Sequence, residues 1–329
     1  MKAAWYEETG PPEDVLRVGE LGDPVPGEGE VRIRIVSSGI NPGDVKKRQD
    51  AFGVGLAFPR IVPHSDGAGV IDAVGPGVYE KRIGERVWCF GAQSYRPFGT
   101  AAEFCVVPTD QAVELPDDVS FEIGACLGIP GLTAYRAVTV AGDPKGRNLL
   151  IQGGAGAVGQ CAVALAHSLE AFVIATVRTE ADVEKAKAAG ADEVIETGSL
   201  SRDDMNSSVL GLFPEGVDHI VEVAFHTNIE ADETVLRLGG SIATFASGVP
   251  DPKIPFWPLV FKNVSVHFLG SDDFKVETKI AGARAINRAL TGGWDGPVIG
   301  ASFGLGEIVA AHQAVENREI KDRVVLQVV

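Results

Sequence analysis

The rhythm of apolar and polar positions changes near residue 120. Before it, Glu30-Val-Arg-Ile-Arg-Ile alternates polar and apolar, the period-two pattern of a strand with one wet and one buried face. Short β-branched runs bounded by Gly and Pro predict strands at Lys2–Tyr6, Val15–Leu21, Glu30–Ser37, Ala68–Val74, Arg86–Phe90 and Ala102–Val107. A small, partly open β-barrel follows from that set.

From Ser120 onward, apolar runs alternate with helix-periodic ones. Asn148–Gln152 reads as a buried strand, and Val158, Cys161, Ala162, Leu165 and Leu169 recur at helical spacing behind it. Strands follow at Ala171–Val177, Glu193–Glu196, Val217–Ala224, Ser241–Ala246 and Val264–Leu269, with helices at Ala181–Ala189 and Ile229–Leu238. Repeated β-then-α units predict a doubly wound parallel sheet, whose ligand belongs at the carboxyl ends of its strands. The tail, with helices at Lys275–Leu290 and Glu307–Asn317 and a strand at Arg323–Val328, has no second such turn. It is expected to rejoin the first domain, giving 1–120 plus 270–329 as one domain, 121–269 as the other, and a substrate cleft between them.

The turn after Gln152 is the most informative stretch. Gly154, Gly156 and Gly159 satisfy G-x-G-x-x-G between a predicted strand and a predicted helix, where the backbone can approach a pyrophosphate at a helix N-terminus. In a chain with 40 glycines the triplet alone means little, but its placement predicts dinucleotide binding. The ribose selector lies about 20 residues further on, where an acid selects NAD and a cation accommodates the phosphate of NADP. Arg178 ends that strand and favours NADPH, while Glu180 and Asp182 oppose a phosphate and keep NADH open.

Composition narrows the partners. A formal net charge of -16, from 29 Lys plus Arg against 45 Asp plus Glu, argues against nucleic acid and anionic membranes. Cys89, Cys105, Cys126 and Cys161 form no C-x-x-C pair and read as reduced and buried. With neither a signal-peptide layout nor a long apolar run, a cytoplasmic location is expected.

Six segments in a fixed order then carry a resemblance: Ser38-Gly-Ile-Asn-Pro-Gly-Asp44, Ser65-Asp-Gly-Ala-Gly-Val-Ile71, Ile83-Gly-Glu-Arg-Val87, Leu127-Gly-Ile-Pro-Gly-Leu-Thr-Ala-Tyr135, the glycine-rich turn and Lys321-Asp-Arg-Val324. Together they resemble the zinc-free quinone oxidoreductase (zeta-crystallin-like) branch of the medium-chain dehydrogenase/reductase superfamily, with Ala157 where that signature has a glycine. The resemblance implies an α/β chain with a GroES-like, partly open β-barrel catalytic domain and a Rossmann domain. It also implies a homodimer joined at the edge strand Val264–Leu269.

Read onto this chain, the superfamily's catalytic zinc ligands fall on Asn41, Ser65 and Ile129, which cannot replace thiolate and imidazole. His64 is next to such a position, but no Cys or second His stands at a plausible spacing, so no zinc is expected. Hydride acceptors that carry negative charge themselves then remain, a quinone or an α,β-unsaturated carbonyl. By resemblance Asn41 lies beside the nicotinamide and donates to the substrate oxygen, with Asp44 second on the same loop. Thr133, Ala155 to Val158, Phe245, Ser247 and Arg323 are implied around the cofactor. The family's tyrosines after the Asn-Pro segment are missing, and Lys46, Arg48 and Phe52 stand there instead. A 2-alkenal or enoyl reductase and a cofactor-binding protein with little turnover remain as alternatives.

Overall fold

The computed structural model describes residues 1–328, which divide into two compact units, residues 1–129 with 297–328 and residues 130–296. The first unit contains β1 (Lys2–Trp5), α1 (Pro12–Val15), β2 (Arg17–Glu20), β3 (Glu30–Ile40), α2 (Pro42–Arg48), β4 (Asp66–Val74), β5 (Arg86–Cys89), β6 (Phe104–Pro108), β7 (Ala112–Glu114) and α3 (Phe121–Gly124). Helix α4 (Gly128–Thr139) leads into the second unit.

That unit contains β8 (Asn148–Ile151), α5 (Ala157–Ser168), β9 (Phe172–Val177), α6 (Glu180–Ala188), β10 (Glu193–Glu196), α7 (Arg202–Leu212), β11 (Val217–Glu222), α8 (Phe225–Val235), β12 (Leu236–Thr244), α9 (Phe256–Phe261), β13 (Ser265–Phe268) and α10 (Val276–Thr291). The chain closes in the first unit with β14 (Ile299–Gly304), α11 (Ile308–Glu316) and β15 (Arg323–Gln327).

In the first unit a seven-stranded sheet runs β14-β15-β3-β4-β5-β7, with β6 also on β3. The alternation of β3 is realised as predicted: Val31, Ile33 and Ile35 are buried with Val87, Cys105 and Val107, while Arg34 is exposed. Two registers matter for chemistry. Gly39 pairs with Asp66 on β4 and Ile40 pairs with Val324 on β15, so Asp66 and Arg323 both lie at the level where β3 turns into Asn41.

The second unit is a parallel sheet in the order β10-β9-β8-β11-β12-β13. Leu150, Ile174, Ile220 and Ile242 are buried at its centre, with Phe225, Ile229 and Val235 of α8 packed over them. The order steps outward from β8 in both directions, which is the doubly wound arrangement, and the glycine-rich turn lies at the carboxyl end of central β8.

Two expectations need correction. Residues 270–296 remain in the second unit, because glycines let α10 press on α4: a Cβ at Gly131 would lie 2.6 Å from Ile286, and one at Gly282 would lie 2.9 Å from Leu132. The first boundary likewise falls after Ile129 rather than at 120. Strands β7 and β14 and helices α1, α2, α3, α4, α7 and α9 add to the predicted elements; β14 carries Gly300 and Gly304, and α7 is mostly polar, so neither has a strong periodic signal.

Candidate active site

In the first unit the chemistry gathers around a buried aspartate. Pro42 opens α2 and Asn41 is its N-cap in extended conformation, with its backbone N–H donating to Asp44 Oδ2 at 2.8 Å. Asp44 therefore braces the helix start. The Asn41 side chain turns instead toward β4, where Nδ2 donates to Asp66 Oδ2 at 2.7 Å. That bond fixes which way the amide faces.

Asp66 also accepts from the Ile129 N–H at 2.9 Å, at the N-terminus of α4, where the helix dipole favours a carboxylate. Gly128 makes this approach possible: a Cβ there would lie 2.1 Å from Asp66 Oδ1. Full burial pushes the Asp66 carboxyl up to about 7, against the pull of Asn41, the Ile129 N–H and Arg323. Arg323 is itself buried, and burial pushes the thiol of nearby Cys126 up against the pull of that guanidinium. The resemblance gives Asp66 no role; its signal in the sequence is an acid entering an otherwise small and apolar strand.

His64 is fully buried, with φ of 75°, and meets His312 of α11. Their Nε2 atoms are 2.9 Å apart, so a second histidine does reach His64, although 248 residues separate them in sequence. Counting donors assigns the protons. The Thr100 hydroxyl donates to the Asp66 carbonyl, so Ser38 donates to Thr100 and accepts from His64 Nδ1–H. His64 Nε2 then accepts from His312. Both rings are held neutral by burial, which lowers His64 strongly and His312 to about 3. No group of three His, Cys, Asp or Glu side chains among the described residues is disposed to hold a metal ion.

Arg48, one of the residues standing where the family has tyrosines, is turned inward. It is wholly buried, with a guanidinium that donates to the Gly10 carbonyl and pairs with Glu316 at 2.6 Å, a bracing role between α2 and α11.

In the second unit the predicted turn has the required shape. Gly153 takes a positive φ of 71°, and Gly156 caps α5 without any side-chain bond. A Cβ at Gly154 would lie 2.7 Å from that of Ala175, and one at Gly159 only 2.1 Å from the Gly153 carbonyl oxygen. Ala155, Ala157 and Val158 complete the turn and the first turn of α5, whose N–H groups no side chain caps. That geometry fits a pyrophosphate.

Arg178 follows β9, exposed and without an ion-pair partner among the described residues. Asp182 is occupied, accepting from the Thr179 hydroxyl at 2.6 Å and pairing with Lys185, which blunts its opposition to a phosphate. Thr133 is buried on α4, while Phe245 and Ser247 follow β12, where the Ser247 hydroxyl donates to the Val249 carbonyl. Arg323, grouped by resemblance with these cofactor residues, lies in the first unit beside Cys126.

A GroES-like sheet followed by a parallel sheet with this turn defines a dehydrogenase/reductase architecture. Residues 27–117 match the alcohol dehydrogenase GroES-like domain and residues 157–280 the zinc-binding dehydrogenase domain. The mouse quinone oxidoreductase is 30% identical over 318 residues, covering 96% of this chain and 94% of its own. A mycobacterial protein solved in complex with NADPH superposes over the full length of both chains with a TM-score of 0.83 at 28% identity. A structure described as an NAD-dependent alcohol dehydrogenase does so with 0.86 at 28%. The chain belongs to the quinone oxidoreductase family of the medium-chain dehydrogenase/reductase superfamily.

Proposed function

We propose that the protein is a zinc-independent, NADPH-dependent reductase of quinones or activated alkenes. The observation that carries this reading is the uncapped, glycine-lined N-terminus of α5 with an unpaired Arg178 at the end of β9. Gly154, Ala155, Gly156, Ala157, Val158 and Gly159 would cradle the pyrophosphate, Arg178 the ribose phosphate, and Thr133, Phe245 and Ser247 the remainder. Bound NADPH supplies the hydride. Asn41, its amide orientation held by Asp66, donates to the acceptor oxygen as negative charge develops there.

Zinc independence rests on ligand chemistry. Asn41 and Ser65 offer an amide and a hydroxyl where the superfamily binds metal, and Ile129 offers a backbone N–H already given to Asp66. Without a Lewis acid, acceptors that delocalise charge are favoured over simple ketones. A 2-alkenal or enoyl reductase is the nearest alternative, and NADPH oxidation with quinones and enals at equal cofactor separates the two. Tight NADPH binding without oxidation of either class would favour a binding protein with little turnover.

Strand β13 lies at the edge of its sheet, and Phe256, Trp257, Phe261 and Phe268 around it are exposed. An apolar sheet edge needs cover, which supports a homodimer through β13. Light scattering on Phe261→Glu tests this, with a fall to monomer mass expected. Four buried cysteines, none in a disulfide among the described residues, support a reducing cytoplasm, and no helix among the described residues is long and apolar enough to cross a membrane.

A further inference from the structure

Beneath the glycine-rich turn lies a line of buried polar side chains that hydride transfer does not require. The Gly153 N–H donates to Thr176 Oγ1 at 3.1 Å, and the Thr176 hydroxyl donates to Gln152 Oε1 at 2.7 Å. Gln152 Nε2 then donates to Asp232 Oδ1 at 2.9 Å. Asp232 projects from α8 and Glu222 ends β11, and both are 0% exposed.

The far end of this line is short of one proton. Glu222 accepts from the Ala224 N–H and from Asn228 Nδ2, so its charge is met by two donors. Asp232 Oδ2 is buried without a hydrogen-bond partner among the described residues, while Glu222 is the charged group acting on it. Two ionised carboxylates facing each other away from water repel, whereas one proton between them makes a hydrogen bond. Glu222 is already served by donors, so the proton belongs on Asp232 Oδ2, donating to Glu222.

We infer that Asp232 is a protonated positioning residue for the dinucleotide turn: as a neutral acid it bridges Gln152 to Glu222 and so holds the Gly153 backbone in the shape a pyrophosphate requires. This rests on the dinucleotide reading of the turn. Burial, and then Glu222, push the Asp232 carboxyl well above its ordinary range, and burial raises Glu222 as well. Several charged groups on the surrounding elements are paired elsewhere. Arg202 of α7 pairs with Glu230 of α8 at the surface, and Lys262, just past α9, pairs with Glu233 of α8. His226 of α8 accepts from the Gly248 N–H. On β11, Asp218 pairs with Arg237, and His219 bonds Ser241 and the Ala137 carbonyl and is lowered to about 4 by burial. At alkaline pH, loss of the Asp232 proton would place a second negative charge under the turn and break the line at its end.

Two measurements on the full chain without cofactor test the proton and the positioning. Infrared spectra should contain a protonated-carboxyl C=O band that Asp232→Asn removes, and Asp232→Ala should speed amide exchange across residues 153–158 while Asp232→Asn leaves it near wild type. NADPH titration by tryptophan-to-nicotinamide energy transfer should then find a wild-type Kd rising at least tenfold on alkaline titration with a one-proton slope, and a flat profile for Asp232→Asn. Absence of the band, unchanged exchange in Asp232→Ala, or an Asp232→Asn profile that follows wild type would overturn the inference. If wild type binds neither NADPH nor NADH, the cofactor reading fails, and the band and exchange still decide whether Asp232 holds the turn.

Discussion

Each unit buries an aspartate beside its candidate chemistry, and the two are held in opposite ways. Asp66 is surrounded by donors, the Asn41 amide and the Ile129 N–H, with the Arg323 charge nearby, so burial lifts it only to about 7. Asp232 has one donor, Gln152, and faces a second acid, so it is pushed much further. Burial alone does not decide a buried acid's charge; the balance of donors and neighbouring charges does. Asp66 is poised to titrate in the working range and Asp232 is kept neutral through it.

The sharpest way to break either arrangement is to add one methyl where a glycine permits contact. Gly159→Ala puts a Cβ at 2.1 Å from the Gly153 carbonyl oxygen, a backbone atom that cannot swing away. Loss of measurable NADPH binding, with destabilisation of roughly 3 kcal/mol or more, is expected from calorimetry and thermal melts. Gly128→Ala meets Asp66 Oδ1 at the same separation but against a side chain, which can rotate. It should leave NADPH binding intact and lower kcat by about tenfold to a hundredfold, through loss of the Asn41 orientation.

Asp66→Asn tests the charge itself. The folded carboxyl is raised from 3.8 to about 7, so between those values the unfolded chain has already lost its proton while the folded one keeps it. Stability from this group is therefore full below about pH 4 and is lost as pH rises through about 7, a slope worth on the order of 4 kcal/mol. Denaturant melts should show wild type losing stability over that window relative to Asp66→Asn. Parallel curves for the two proteins would show that Asp66 ionises normally.

Arg178→Ala has the smallest expected effect, because the side chain is exposed and a phosphate contact there would be screened. NADPH affinity should weaken by roughly tenfold, about 1.4 kcal/mol, with NADH unchanged. Equal affinities in wild type would remove Arg178 as the selector.

What could be read along the chain was what is local along the chain. The two periodicities, the strand–turn–helix around Gly154 to Gly159 and Arg178 after the second strand of the parallel sheet each occupy a few consecutive residues, and the folded chain contains them with small shifts of boundary. The polar clusters depend on register instead. Asp66 reaches Asn41 because Gly39 pairs with Asp66 across β3 and β4, and His64 reaches His312 across 248 residues. Asp232 reads as one more acid in Glu230-Ala-Asp-Glu; only the packing of α8 on β11 turns that acid inward. Arg48 deceives in the other direction, since its place in Lys46-Lys-Arg48 suggests a solvated face and the fold buries it against Glu316.

The most direct measurement is NADPH oxidation followed optically, with protein stripped of metal by a chelator and offered a quinone and an enal in parallel. The account predicts turnover with at least one of them, undiminished by chelation and not raised by added zinc. Activity that vanishes on chelation and returns with zinc, or the absence of oxidation with both acceptors despite bound NADPH, would contradict it.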